Sequence, residues 1–198
     1  MRNGYADEEV ISQVTGNSYP FLAVDDVPKV REVLLLKNQH FYHFTLDKDI
    51  DGIKQEGIHP KFEKKRSAPL GERVEPPAMR YCTKQGWEVG FATVKVRAEE
   101  WNEEHPGDPA NIVLLRVAAT TFLDRPFGLD HSHGFVVSRF ENIRESSEYV
   151  SVDDFLKITD DYGAISSYAV ILPEELEKCD DAIRFCRLLD TPFRPLMA

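Results

Sequence analysis

Few side chains in this 198-residue chain stand in patterns that could do chemistry. His43 lies inside an aromatic, alternating run, HFYHFT at residues 40–45. An imidazole can donate a hydrogen bond from one ring nitrogen and accept at the other. That makes His43 a candidate ligand-binding group, against the alternative of a core histidine on an aromatic strand. Glu145 and Glu148, in RESSEYV, are acids at the entry of a late strand, or members of a charged turn. His131 and His133, in DHSHG, put two imidazoles on one side of a strand, as metal ligands require. No third ligand follows at a matching spacing, so a polar loop is the plainer reading and no metal is expected. Cys82 invites a nucleophile reading, but without a His-Asn or His-Asp partner pattern it reads as a buried thiol. Neither GxGxxG nor GxxxxGK[ST] occurs, which leaves a Rossmann or P-loop nucleotide site unsupported.

The elements that must position these residues follow from periodicity and punctuation. Residues 40–45 read as a buried strand. Residues 46–57 place Leu46, Ile50 and Ile53 at helical spacing, with Asp47 able to cap and Gly57 ending the run. Residues 63–77 are charged and carry three prolines, a loop. Residues 79–83 (MRYCT) read as a short strand, 98–104 as a helix, 106–109 (PGDP) as a turn, and 111–117 (NIVLLRV) as the clearest buried strand. Residues 135–140, 148–152 and 167–172 are further strand candidates, with Ser151 or Asp153 capping a short helix after the second. Residues 173–178 begin a turn and helix with Pro173 at the first helical position. Residues 180–189 read as an amphipathic helix with Ile183, Phe185, Cys186 and Leu189 inward. Short strands with few crossover helices favour α+β over a doubly wound parallel sheet.

Residues 41–60, FYHFTLDKDIDGIKQEGIHP, carry the most information. A strand ending in Tyr-His-Phe-Thr, a short helix and then Gly-Ile-x-Pro resembles the opening of an ADP-ribosyltransferase of the His-Tyr-Glu class. That class includes poly(ADP-ribose) polymerases, the diphtheria-toxin group and the RNA 2′-phosphotransferases. The resemblance implies a split β-sandwich of two small sheets with flanking helices, and NAD as the bound substrate. It implies that His43 holds an NAD ribose hydroxyl, with backbone groups beside it holding the nicotinamide amide. Thr45 corresponds to the family's small hydroxyl residue, and Phe44 stands where many members have glycine. Tyr81 would stack on nicotinamide, a flat aromatic face against a flat cationic ring. Phe91 and Trp87 compete for the second aromatic place. Glu148 would bond the nicotinamide ribose and stabilise the cation that forms as nicotinamide leaves. In a competing alignment on SYAVILP at 167–173, Ala169 occupies the glutamate position. Residues 127–134 would be the loop over NAD, and Arg116 and Arg139 would contact the diphosphate or, equally, pair with surface acids.

Composition sets the outer bounds. The length suits one domain, read as a cap or extension over residues 1–36 and an ADP-ribosyltransferase-like domain over 37–198. Twenty-four Lys and Arg against 34 Asp and Glu give −10, which argues against a general nucleic-acid coat. The basic strip KFEKKR at 61–66 reads as a solvated loop. Three cysteines in no paired pattern read as free thiols. No run approaches the ~20 apolar residues of a membrane span, and the N-terminus lacks a secretory pattern. The expected location is cytoplasmic, or a target cell reached without a classical signal. The activity that the resemblance implies is mono-ADP-ribosyl transfer to a macromolecular acceptor, a protein before a nucleic acid, and a stand-alone domain of this size resembles bacterial toxins and effectors. The alternatives are a non-catalytic module that binds NAD, ADP-ribose or a protein, and an RNA 2′-phosphotransferase-like enzyme.

Overall fold

The computed structural model describes residues 27–60, 79–123, 125, 127–129, 151–153, 156, 164–167 and 169–198. Alternation in HFYHFT gives strand β1, His40–Leu46. Side chains on a strand alternate between its two faces, and here each face has its own core. Phe41 packs on one side with Val113, Leu115 and Val117. Tyr42, Phe44 and Leu46 pack on the other with Leu114. Helix α1 (Val27–Lys37) and helix α2 (Ile50–Glu56) contribute Leu34, Ile50 and Ile53 to the first core. Helix α3 (Trp87–Glu104) and helix α4 (Ala182–Cys186) contribute Val94, Ala98, Ala182 and Phe185 to the second. Leu34 is buried in the domain core, so α1, at the end of the expected cap, packs into the domain.

The other strands are β2 (Met79–Cys82), β3 (Ile112–Ala118), β4 (Phe127–Leu129), β5 (Ala164–Ser167), β6 (Leu176–Cys179) and β7 (Arg194–Pro195). They are joined in the order β4-β5-β2-β1-β3-β6-β7, and every pairing is antiparallel. The architecture is therefore mixed α and β on an antiparallel sheet. The two separate small sheets of the expected split sandwich are joined here into one. The join is narrow: β1 pairs with β3 along its whole length, from His40↔Ala118 to Leu46↔Ile112, but with β2 only at Tyr42↔Cys82. Beyond that pair the strands part.

Several expectations from the sequence need correction. Asp47 does not cap a helix through its side chain. Its carboxylate accepts from the Asn111 amide N–H at 3.1 Å and from Nδ2 at 2.9 Å, fixing the start of β3. Residues 87–104 form one helix instead of a helix beginning at 98. The strand placed at 167–172 lies at Ala164–Ser167. After it the Ser167 hydroxyl bonds the backbone of Ala169, turning the chain out of the ladder. Ile171 keeps a single bridge to Ile58. Pro173 does open a helical turn, but it is a 3-10 turn of three residues that runs into β6. The C-terminal helix is cut to five residues, capped by Asp181 accepting from Arg184 N–H. Phe185 is buried, whereas Ile183 and Leu189 are exposed, because a helix this short turns only one residue row inward. Of the strand expected at 148–152, residues 148–150 lie outside the described residues; Val152 and Asp153 are helical. The strand expected at 135–140 also lies outside them.

Gly57 ends α2 at φ 80°, ψ −168°, a region essentially reserved for glycine. A Cβ there would lie 2.3 Å from the Ile171 carbonyl oxygen. Gly52, inside α2, has nothing within 4 Å of an added Cβ. Gly57→Ala is expected to destabilise the protein by at least about 1–3 kcal/mol, and Gly52→Ala to stabilise it by about 0.5–1 kcal/mol. Urea titrations of the two variants check the pair. Equal effects would contradict this description of the α2 terminus.

Candidate functional site

The parting of β1 from β2 opens a cavity of ≈ 600 Å³, within the range of small-molecule pockets. His43, Phe44 and Thr45 line it from β1, and Met79, Arg80, Tyr81 and Cys82 from β2. Ile53, Glu56, Gly57, Ile58 and His59 close it from α2 and the chain beyond. Gly90, Thr93, Val94 and Arg97 line it from α3, at the 3-4-7 spacing of one helix face.

His43 is half-buried at the fork, and its Nδ1 bonds the Arg80 carbonyl at 2.9 Å. A carbonyl can only accept, so Nδ1 carries the proton, and in the neutral ring Nε2 is the nitrogen that accepts. The imidazole thus does the work of a ladder hydrogen bond where the ladder has stopped.

Tyr81 stands next to it, ring centroids 5.5 Å apart at 50°. Sequence placed these two residues together, and the structure does so. The expected stacking platform is another matter. Tyr81 is 2% exposed and packs edge-on against Phe122 at 5.7 Å, so it backs His43 without showing an open face. Its hydroxyl has no hydrogen-bond partner among the described residues. Burial first, and the Glu175 carboxylate second, push its pKa upward, so it stays protonated.

Phe44 is accommodated by a glycine opposite. A Cβ on Gly90 would meet the Phe44 ring at 3.0 Å and the Cys82 Sγ at 3.3 Å. Phe91 is turned into the second core, against Phe44 at 5.7 Å and Trp87 at 6.0 Å, and neither Phe91 nor Trp87 lines the cavity. Arg116 is also absent from it. Its guanidinium is engaged by Glu177 on the neighbouring strand and lies 4.1 Å over the Phe193 ring. Cys82 is a buried thiol pushed up to about 12 by burial, so it is not a nucleophile at neutral pH. Ala169 is buried and off the cavity. Glu148, Glu145, Arg139, His131, His133 and the basic strip at 61–66 lie outside the described residues. Among the described residues, no group of three or more His, Cys, Asp or Glu could hold a metal, and no helix is long and apolar enough to cross a membrane.

Sequence reasoning missed the polar wall. Asp49 accepts from the Thr45 hydroxyl at 2.7 Å and the Leu46 N–H at 3.3 Å on one oxygen, and from Arg97 Nη2 at 2.8 Å on the other. The available signals were the Thr45-to-Asp49 spacing and the α3 face ending at Arg97. Burial opposes ionisation of Asp49 and is the largest single influence. The hydrogen bonds from Arg97, Thr45 and Leu46, with the Arg97 charge, together outweigh it and hold the carboxyl below its ordinary range. A carboxyl depressed on folding contributes stability that is present above its unfolded pKa of about 3.9 and is lost as pH falls through the folded value. Urea titrations from neutral to acid pH should therefore show Asp49→Asn with a weaker loss of stability below about pH 4 than the parent. Superimposable pH profiles would contradict the assignment.

No protein-family model matches this chain, and no curated protein matches it either.

Proposed function

We propose that the chain is an NAD-dependent mono-ADP-ribosyltransferase whose substrate pocket is the cavity at the β1–β2 fork. The observation that carries this reading is His43, held by the Arg80 carbonyl between parted strands and facing a cavity of ≈ 600 Å³. A histidine serving only the core would be enclosed by apolar groups, whereas this one lines a wall with hydroxyl, guanidinium and carboxylate neighbours. The resemblance of residues 41–60 to the His-Tyr-Glu transferases supplies the ligand: an NAD ribose hydroxyl donating to Nε2, with Tyr81 behind the imidazole fixing its plane.

In this reaction the C1′–N bond to nicotinamide breaks and its electron pair leaves with the nicotinamide nitrogen. Positive charge spreads over C1′ and the ribose ring oxygen. A carboxylate fixed nearby stabilises that charge more than it stabilises the ground state, and Glu148 is the residue proposed for it. An acceptor nucleophile, a protein side chain in this reading, then attacks C1′ and loses its proton.

A second reading, a non-catalytic module binding NAD or ADP-ribose in the same cavity, is favoured by one observation: Tyr81 is 2% exposed and offers no face for nicotinamide. Nicotinamide release separates the two. The transferase is expected to release nicotinamide from NAD in the presence of a cell extract, and Glu148→Gln to lose turnover while keeping NAD binding. Binding without release by the parent protein would select the module. In either case His43→Ala is expected to weaken NAD binding by about 1–3 kcal/mol. Equal affinities by titration calorimetry would remove His43 from the site.

A further inference from the structure

We infer that Arg97, tethered by Asp49, is the anion-binding end of the cavity and grips a phosphate of a nucleoside-diphosphate ligand. The ligand class rests on the transferase reading above; the site itself rests on geometry. Asp49 has one oxygen fixed to β1 by the Thr45 hydroxyl and the Leu46 N–H, which leaves the other aimed at α3, where Arg97 Nη2 meets it at 2.8 Å. A guanidinium has five N–H donors. Among the described residues Asp49 takes one of them, from Nη2, and tethers the group at that nitrogen. With side chains 56% and 28% exposed, such a pair adds little to stability. Its effect is on orientation: an arginine that would otherwise sweep through solvent is fixed at the cavity wall.

Among the described residues the cavity wall holds Arg80 and Arg97 beside Asp49 and Glu56, while Lys48 is turned to Asp108. Planar, multidentate recognition is what arginine supplies to phosphate. The position also fits. Thr45 lies two residues beyond His43 on the same strand face, about 7 Å along β1, and Asp49 and Arg97 stand next to it. A ligand with a ribose at His43 would therefore carry its 5′-phosphate toward Arg97. Thr45, expected from sequence to meet the ligand itself, acts here through Asp49 as a positioning residue.

Titration calorimetry of the parent, Arg97→Gln and Asp49→Asn against ADP, ADP-ribose and nicotinamide tests this at two ionic strengths. Arg97→Gln should weaken ADP and ADP-ribose binding roughly 10–100-fold, flatten its salt dependence, and leave nicotinamide affinity within about twofold. Asp49→Asn should weaken the two phosphate ligands several-fold while keeping their salt dependence, because the cation remains but its tether is weaker. If Arg97→Gln binds ADP-ribose as the parent does, or the parent binds neither phosphate ligand, the inference is overturned. The two readings fail separately. Arg97-dependent ADP binding without nicotinamide release from NAD keeps the anion site and removes the transferase. NAD turnover indifferent to Arg97→Gln does the reverse.

Discussion

The arrangement depends on one interruption in a hydrogen-bonded ladder. β1 is secured along its full length on the β3 side and at only one pair on the β2 side. Past the interruption the half-buried Arg80 carbonyl accepts a hydrogen bond from the His43 imidazole. The same side chain therefore completes the sheet and lines the space that the sheet's opening creates. Around it the packing is tight. Tyr81 lies behind the ring, the Gly57 turn comes within 2.8 Å of Ile171 through the Ile58 amide, and Gly90 lets α3 approach Phe44. In the proposed reading these contacts would hold the cavity ready for its ligand and lower the cost of ordering on binding.

Much of this was legible where a local rule acts alone. The aromatic alternation of residues 40–45 gave β1, the Leu46/Ile50/Ile53 spacing gave the helix after it, and Gly57 marked its end because no other residue tolerates that backbone. His43 and Tyr81 were paired by family pattern and do stand together. Legibility failed where tertiary partners decide. LEKC at 176–179 has no strand alternation of its own and becomes β6 because β3 offers an edge. Arg116 had the right charge for a diphosphate, but its register opposite Glu177 commits it elsewhere. Phe91 and Arg97 lie on one helix, and only the helix's rotation decides which faces the core and which the cavity. Asp49 was not singled out in the sequence. Its link to α3 spans 48 residues and leaves no local trace.

Seen functionally, the two walls of the cavity divide the labour. The β2 side holds a protonated phenol and a protonated thiol, both buried, beside the Arg80 side chain. The α2–α3 side carries a fixed carboxylate, a fixed guanidinium and Lys48, which leans out to Asp108 at 2.5 Å. In the proposed reading the α2–α3 side would meet the phosphates of the ligand and so orient it. Orientation of that kind is a precondition for any reaction at a single sugar carbon.

A crystal structure of the protein with NAD tests the central claim most directly. The account predicts the nicotinamide ribose in the fork between β1 and β2, a ribose hydroxyl in hydrogen-bond reach of His43 Nε2, and Nδ1 still on the Arg80 carbonyl. A dinucleotide bound elsewhere on the sheet, with the imidazole turned from it and the fork closed, would contradict the account.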